Sequence, residues 1–558
     1  MAIRELLIKY APCFEFFLVR NFPSTLDLRG LINAIHTGKQ VCPCHPQKTM
    51  EILILFKYKD YLMKEKSRHF WIIAGFLLIG FIFRLYPLQY KNIINPDGVR
   101  YINQAKAILD GNFDLAINCG FEFLSIYHFL IPVFYKIFGE WIIAAKSISL
   151  LFGTLTIIPF YLITKQFFRN KTVLMATLAF TINPFLVSHS EDLIRGPIFW
   201  FFALFGVFFF ISSINKEGKE HYLILSSIFF LAAGWARFEA VVFFIGTLLY
   251  ILFTNKDRLK RFFLFCFPML FISFSVLFGL LIYQKGYALW SFYLGPRVTM
   301  FFRDFLDIAL SGNIIEKSIS AIGAISFRVI RVFYAFLIFL LLGLVVVKKE
   351  LIRNRHLSYF ILLSSLSFVT LFLFYLKTES IVDRYVAIIM LPAFIFVCPG
   401  IEETIRYFKG KGFKEDKIIT GIVFFILITV VAFPHNLVHK RTDQLVYEEA
   451  GRYIASIEKN RLVKVTASDS RVSFFANLNA GGIDCTNNNS QNYNLLMKMN
   501  YLEMVSTLKE SNMKYFFWEE GRWRDADYNF LSVAKSEHFQ EIMRWNTEDK
   551  KVKLFRVK

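Results

Sequence analysis

The stretch INPDGVRYINQAKAILDGNFD, residues 94–114, interrupts an otherwise apolar chain just after its first run of membrane-spanning length, and it carries Asp97, Arg100, Lys106, Asp110 and Asp114. Pro96 and Gly98 punctuate a turn. Val99, Ile102, Ala105, Ile108 and Leu109 then recur at helical spacing, and Gly111 suits a helix stop. This pattern predicts an amphipathic helix at the membrane interface, polar face to water and apolar face to lipid or protein. Asp97, at its start, reads either as an N-cap accepting a backbone N–H or as a carboxylate placed for chemistry. What the rest of the chain brings to it decides between the two.

The chain has 558 residues, of which 55% are hydrophobic and 18% aromatic, more than an ordinary soluble domain carries. Apolar runs near the span length of about 20 residues recur from Trp71 to Phe433. They predict a mainly α-helical, polytopic membrane bundle with about 11 spans: 70–88, 141–163, 172–187, 196–214, 222–235, 240–254, 262–283, 326–347, 357–376, 385–400 and 417–434. The loops between them alternate in charge. KEKSRH, KQFFRNK, NKEGKEH, NKDRLKR, KKELIRNR and RYFKGKGFKEDK carry two to five Lys or Arg each, whereas SHSEDLIR, WARFE and KTESIVDR carry one or two. The positive-inside rule places the first set in the cytoplasm, with the N-terminus inside and the C-terminus outside. It also accounts for the net charge of +21 without nucleic acid as a partner.

The apolar run 123–139 would invert every later loop if it crossed, so it is expected to lie in the outer interface, within one long outer segment 89–140. A second outer segment is expected over 284–325, and the break at GWARFE divides a run short for two spans. Residues 1–62 fit neither period; MKEKSRHFWIIAGFLLIG, from Met63, reads like a natural start, as Met50 also would. An anchored first helix is expected rather than a cleaved signal peptide. The organisation is thus an extension 1–62, a membrane domain 63–436 and a tail 437–558. In the tail, DQLVYEEAGRYIASIEKN and YLEMVSTLKES read as helices, LVKVTA and KYFFWE as short buried strands and DCTNNNSQNYN as a loop, which predicts a small extracytoplasmic α/β domain.

Three more charge clusters fall at expected outer span ends: Glu191, Asp192 and Arg195; Arg237 and Glu239; Glu379, Asp383 and Arg384. Each alone is an interface cap with a snorkelling arginine. Four on one side, counting Asp97 and Arg100, point to a shared polar cavity, because charge at membrane depth is costly and faces a cavity or a partner. The seven cysteines show no metal-ligand spacing. Cys119 and Cys485 fall in expected outer segments, where a disulfide needs geometry that spacing does not supply. No G-x-G-x-x-G, P-loop or G-x-S-x-G motif is present.

NPDGVRYINQAKAILDGNFD resembles the first outer loop of GT-C glycosyltransferases, in particular glycosyltransferase family 39 and the RgtA/B/C/D-like group, which includes protein O-mannosyltransferases and the lipid A aminoarabinose transferase. Pro96, Asp97, Tyr101, Ala105, Leu109, Gly111 and Asn112 match that pattern. FGEWIIAAKSISLLFGTLTIIPFYLITKQFF, GWARFEAVVFF and DRYVAIIMLPAFIF resemble later segments, so the resemblance covers roughly 70–400. Three positions depart: Gly98 stands where an acid is common, Phe123 where a lysine is usual after the acid matched by Glu122, and Gly196 where an acid often follows the arginine.

The resemblance implies a polyprenyl-phosphate-linked sugar as donor, with its lipid in the membrane and its sugar-phosphate in an outer cavity. An inverting transfer needs a carboxylate base and cations for the lipid-phosphate leaving group, for which the arginine fork is suited. It implies Asp97 as base, with Glu122 a second acidic candidate, and Arg100, Arg195, Arg237 and Arg384 as donor-phosphate ligands. The acceptor is a glycan, a lipid or a protein. The group contains enzymes with and without a divalent metal, so metal dependence stays open and no cofactor is assigned. The competing readings are a transporter or flippase, which would bind nearer the midplane, and a receptor whose Asp97 is merely a cap.

Overall fold

A computed structural model describes residues 67–86, 94–119, 123–215, 218–254, 257–282, 314–411, 421–422, 426, 430–431, 436, 444–480, 482–483, 489–523, 528–547 and 550–558. The expected extension 1–62, Glu122, Cys485, most of the expected span 417–434 and most of the segment 284–325 lie outside them. Cys119 is disulfide-bonded.

The protein is a helical integral membrane protein. Among the described residues, Ser67–Tyr86, Trp141–Thr164, Gly196–Asn215, Ile314–Ile352, Arg355–Thr378 and Asp383–Gly410 are long and apolar enough to cross a membrane. Ile126–Phe138, Tyr222–Ala236 and Phe238–Phe253 are apolar but shorter, and Arg258–Ile282 is a further helix with Pro268 inside it. Ile126–Phe138 is 13 residues long, about 20 Å, shorter than a hydrocarbon core of about 30 Å. The helix preceding the expected span 326–347 begins at Ile314, so part of the segment read as an outer loop is helical. Its apolar residues recur on one face, which is the periodicity that carries it on into the span.

The expected span 172–187 is not one helix but two, Asn170–Thr181 and Pro184–Glu191, bent by 44°. Pro184 cannot donate to the preceding turn, and Asn183 starts a new helix by accepting from the N–H groups of Phe185 and Leu186 at 3.0 and 3.2 Å. A break in lipid strands backbone carbonyls, which must find donors inside the protein. Arg84, fully buried in the first span, donates to Thr181 O at 3.2 Å and Ser190 Oγ at 3.2 Å, while also bonding Gly80 O on its own helix at 3.0 Å. Asn436 Nδ2 takes Ile182 O at 2.9 Å, and Asn183 Nδ2 reaches Val332 O at 3.2 Å.

Elsewhere small residues set helix spacing. A Cβ on Gly343 would stand 1.8 Å from Phe396 O, and one on Gly400 1.8 Å from Phe339 O. Leu337–Arg353 and Val397–Gly410 therefore touch backbone to backbone, the close approach that small residues allow between membrane helices.

The tail folds as the expected α/β unit. Helix Leu445–Ile457 leads to β1 (Val465–Ala467), which pairs in parallel with β2 (Tyr515–Glu519). A hairpin not foreseen from sequence, β3 (Phe539–Thr547) and β4 (Lys550–Val557), completes the sheet in the order β1-β2-β4-β3, β4 running antiparallel to β2. Phe517 and Leu554 pack against Val446, Ala450 and Ile454 on one face. Phe516 and Phe555 pack against Leu496, Met504 and Leu508 on the other, the strand alternation burying both faces. The loop expected at DCTNNNSQNYN gives way to a helix from Asn489 to Met497, because Tyr493 and Leu496 insert into that second core.

Arg84→Leu is expected to leave Thr181 O without its donor. At roughly 1–3 kcal/mol for a buried orphan, thermal unfolding of the detergent-solubilised protein should shift down by several degrees. An unchanged transition would mean that the break does not depend on Arg84.

Candidate functional site

The segment that opens the sequence forms the helix Pro96–Leu109. Its N-cap is Asn95, not Asp97: Asn95 Oδ1 accepts from Gly98 N at 2.7 Å, and Pro96 takes the first helical position, where its missing N–H costs nothing. Asp97 is thereby released from capping and sits in the first turn. The helix is also not a surface element. Val99, Tyr101, Ile102, Asn103, Gln104, Ala105, Lys106 and Ala107 are all buried, because the protein covers both its apolar and its polar faces.

Two things anchor its start. Asn95 Nδ2 donates to Leu193 O at 3.0 Å, and a Cβ added to Gly98 would stand 2.9 Å from Leu193 Cβ. The glycine that departs from the acid common in the resembled pattern is thus the seat of Leu193, in the turn after the broken span. The C-terminal domain holds both ends of the same helix. Arg471, buried and paired through two bonds with Asp469, donates to Ile94 O at 3.1 Å and to Gln444 Oε1 at 2.7 Å. Lys106 Nζ donates to Leu478 O at 2.9 Å and lies over the Trp141 ring.

Four of the six anticipated residues converge at the Asp97 end. The Asp97 carboxylate accepts a hydrogen bond from Arg384, which sits in the first turn of the helix Asp383–Ala393 and lies over the Tyr385 ring. Arg237, in extended backbone between Tyr222–Ala236 and the short turn Phe238–Ala240, also lies over the Tyr385 ring, 5.3 Å from its centre. Its guanidinium forks onto both oxygens of Glu239. Burial works against the Glu239 carboxylate, but the charge and hydrogen bonds of Arg237 hold it down at about 2. Arg195 Nε donates to Tyr101 Oη at 3.1 Å, with its guanidinium 4.5 Å from the centre of the Phe123 ring. Ser149 Oγ, donating to Ile194 O at 3.0 Å, fixes the turn that carries it.

The remaining candidates stand differently. Arg100 is half-buried one turn beyond Asp97 on the same helix, and Glu122 lies outside the described residues. Glu379 pairs with Lys317 at 2.7 Å, and Asp383 with Arg328 and Arg331 at 2.8 and 3.2 Å. Those two acids therefore tie down the helix Ile314–Phe333 rather than face Asp97. Tyr101 and Tyr385, which link the arginines, were missed as site residues; an aromatic in a membrane protein carries no signal of its own. Among the described residues no group of three or more His, Cys, Asp or Glu is gathered to hold a metal ion. A cleft of about 660 Å³ lies at the far end of the Asp97 helix, lined by Lys106, Asp110, Tyr135, Trp141, Arg452 and Leu478 among others. It holds none of the converging arginines.

Chemically, the Asp97 end offers a hydrogen-bonded carboxylate, three arginines within one constellation and two aromatic rings. Such an array suits an anionic ligand, because arginine can give up a carboxylate for a phosphate of similar geometry.

Residues 126–283 match the family model described as dolichyl-phosphate-mannose-protein mannosyltransferase. No curated protein sequence matches. The structure is similar to the Archaeoglobus fulgidus oligosaccharyltransferase in its apo form, with a TM-score of 0.52 at 11% identity, covering 81% of this chain and 69% of that one. It is similar to ArnT from Cupriavidus metallidurans bound to undecaprenyl phosphate, with a TM-score of 0.52 at 11% identity, covering 88% of this chain and 98% of that one. It is also similar to the A. fulgidus AglB in complex with an inhibitory peptide and a dolichol-phosphate, with a TM-score of 0.50 at 11% identity, covering 81% and 69%. The fold is that of the GT-C enzymes.

Gly98→Ala should be destabilising by about 1–3 kcal/mol, the usual cost of overpacking, and adding Leu193→Ala should recover much of the loss. Thermal unfolding of the two variants checks this; equal stability of Gly98→Ala and the parent would show that Leu193 yields without cost.

Proposed function

We propose that this chain is an integral-membrane glycosyltransferase that moves a sugar from a polyprenyl-phosphate carrier to an acceptor hydroxyl on the extracytoplasmic side, with Asp97 as general base. The observation that carries the reading is the Asp97–Arg384 pair inside a constellation that also holds Arg195 and Arg237. The family match over 126–283 and the GT-C fold support the same class. The loop charges support an N-terminus in the cytoplasm and a C-terminal domain outside.

In this reading Asp97 and Arg384 rest on each other. The incoming donor places its phosphate among Arg195, Arg237 and Arg384, and Arg384 transfers its hydrogen bond from Asp97 to phosphate oxygen. Asp97 is then free to accept the proton of the acceptor O–H. The acceptor oxygen forms a bond to the anomeric carbon from the face opposite the phosphate, and the anomeric carbon–oxygen bond to phosphate breaks. Its electron pair stays on the lipid phosphate, whose added charge the arginines neutralise. The anomeric centre inverts, and the sugar is a hexose or a pentose. Arg100, and Glu122 as an acidic neighbour, belong to the same reading as a further phosphate ligand and a second carboxylate. The acceptor is a glycan, a lipid or a protein hydroxyl.

One feature favours a flippase instead, the broken span Asn170–Thr181 and Pro184–Glu191, since transporters bind substrate at such breaks. Here the freed carbonyls of Thr181 and Ile182 are taken by Arg84 and Asn436, which leaves them engaged by the protein rather than offered to cargo.

In nanodiscs supplied with polyprenyl-phosphate-linked sugar, Asp97→Asn should lower transfer at least ~10²-fold, the scale of general-base catalysis, with unchanged thermal stability. Arg384→Gln should raise the donor KM. The sugar is identified beforehand by mass spectrometry of cell-envelope glycans with and without the chain. Equal turnover by Asp97→Asn and the parent would remove Asp97 as base, and an unchanged glycan profile would count against the enzyme.

A further inference from the structure

His128 stands beside this constellation with one nitrogen unused. It is fully buried near the start of the helix Ile126–Phe138. Its Nδ1 accepts the Ser125 N–H at 2.7 Å, so in the neutral ring the proton is on Nε2. Nε2 is buried and has no hydrogen-bond partner among the described residues. The ring meets the Tyr101 ring edge to face, centres 5.3 Å apart, and Tyr101 is the residue whose hydroxyl accepts from Arg195. A buried N–H left unmade is costly and calls for a partner.

Resting on the glycosyltransferase reading, we propose that His128 Nε2–H is a neutral hydrogen-bond donor to a phosphate oxygen of the lipid carrier, seated beside Arg195. Three features of the surroundings suit that role. Burial, reinforced by the Arg195 charge and only partly opposed by the bond from Ser125, pushes the imidazole down to about 3. His128 therefore stays neutral at working pH and adds a directed hydrogen bond without adding charge. The Ser125 bond and the Tyr101 contact hold the ring, so the donor needs little ordering when the ligand arrives. Arg195, held to Tyr101 Oη and over Phe123, supplies the charge that brings an anion to this spot.

Two substitutions separate the two nitrogens. His128→Asn keeps an acceptor near the Nδ1 position, and so the Ser125 bond, but deletes the Nε2 donor. His128→Gln extends an amide N–H toward the Nε2 position at the expense of the Ser125 bond. Binding of undecaprenyl phosphate and of dolichyl phosphate to the full-length protein in nanodiscs is measured for the parent and both variants, alongside thermal stability and competition by inorganic phosphate. His128→Asn is expected to weaken lipid-phosphate binding about tenfold or more, the worth of a hydrogen bond to a charged group, at near-parental stability. His128→Gln should bind within a few-fold of the parent even if it is less stable. Competition by millimolar inorganic phosphate in the parent but not in His128→Asn would support the same contact. The opposite order, His128→Asn binding like the parent and only His128→Gln impaired, would overturn the inference and leave His128 a helix-start fixture. A parent that binds neither lipid phosphate would overturn both this inference and the polyprenyl-phosphate reading beneath it.

Discussion

A carbonyl exposed to hydrocarbon has no water to turn to, and that constraint organises this protein around the break at Ile182 and Asn183. Asn183 and Pro184 end one helix and begin another, which frees the carbonyls of Thr181 and Ile182. Arg84 and Asn436 take them. Because those donors come from the first span and from the chain just before the C-terminal domain, satisfying the break also fixes where the second half of the span points. It leads into the turn 192–195, which meets the Asp97 helix through Leu193 and Tyr101. A backbone accounting problem deep in the bundle thus decides where Arg195 stands.

Electrostatics at the Asp97 end follow the same economy. Asp97 has Arg384, Glu239 has Arg237, and Asp383 has Arg328 and Arg331. Ion pairs that are part-buried are weak grounds for stability, since desolvation offsets much of the attraction. Arrangement is the more informative property. Arg195 donates to Tyr101 Oη and lies over the Tyr101 and Phe123 rings, and its charge acts with that of Arg237 on the Glu239 carboxylate, so the three arginines are linked through two aromatic rings as well as through the carboxylates.

The class of fold was legible because its signals are repetitive: apolar runs, alternating loop charge, and short apolar strands such as KYFFWE in the tail. The convergence of Asp97, Arg195, Arg237 and Arg384 was legible in outline, since charges at neighbouring span ends have few places to go. Other features were not, each for a physical reason. Arg84 near a span end looks like any snorkelling side chain; only the packed bundle shows it turned inward. The break after Thr181 was hidden by an apolar run continuous across Asn183 and Pro184. The cap was misplaced by giving Asp its usual preference when Pro96 at the first helical position already pointed to Asn95. The polar face of that helix was read as solvated because Lys106 and Gln104 are polar, yet they bond Leu478 O and Ala116 O inside the protein.

Those two bonds bear on what the C-terminal domain does. Arg471 takes Ile94 O three residues before Asp97, and Leu478 takes Lys106 nine residues after it. Both protein partners sit at the ends of one short helix, Ser470–Asn477, whose start is set by Asp469, the same carboxylate that holds Arg471. A helix gripped at both ends by another helix cannot slide or tilt without breaking a buried, charge-assisted bond. The Asp97 helix is therefore positioned from two directions at once, by the turn after the broken span at its start and by the C-terminal domain along its length. Asp97, in the first turn of that helix, is thereby held where its carboxylate accepts from Arg384.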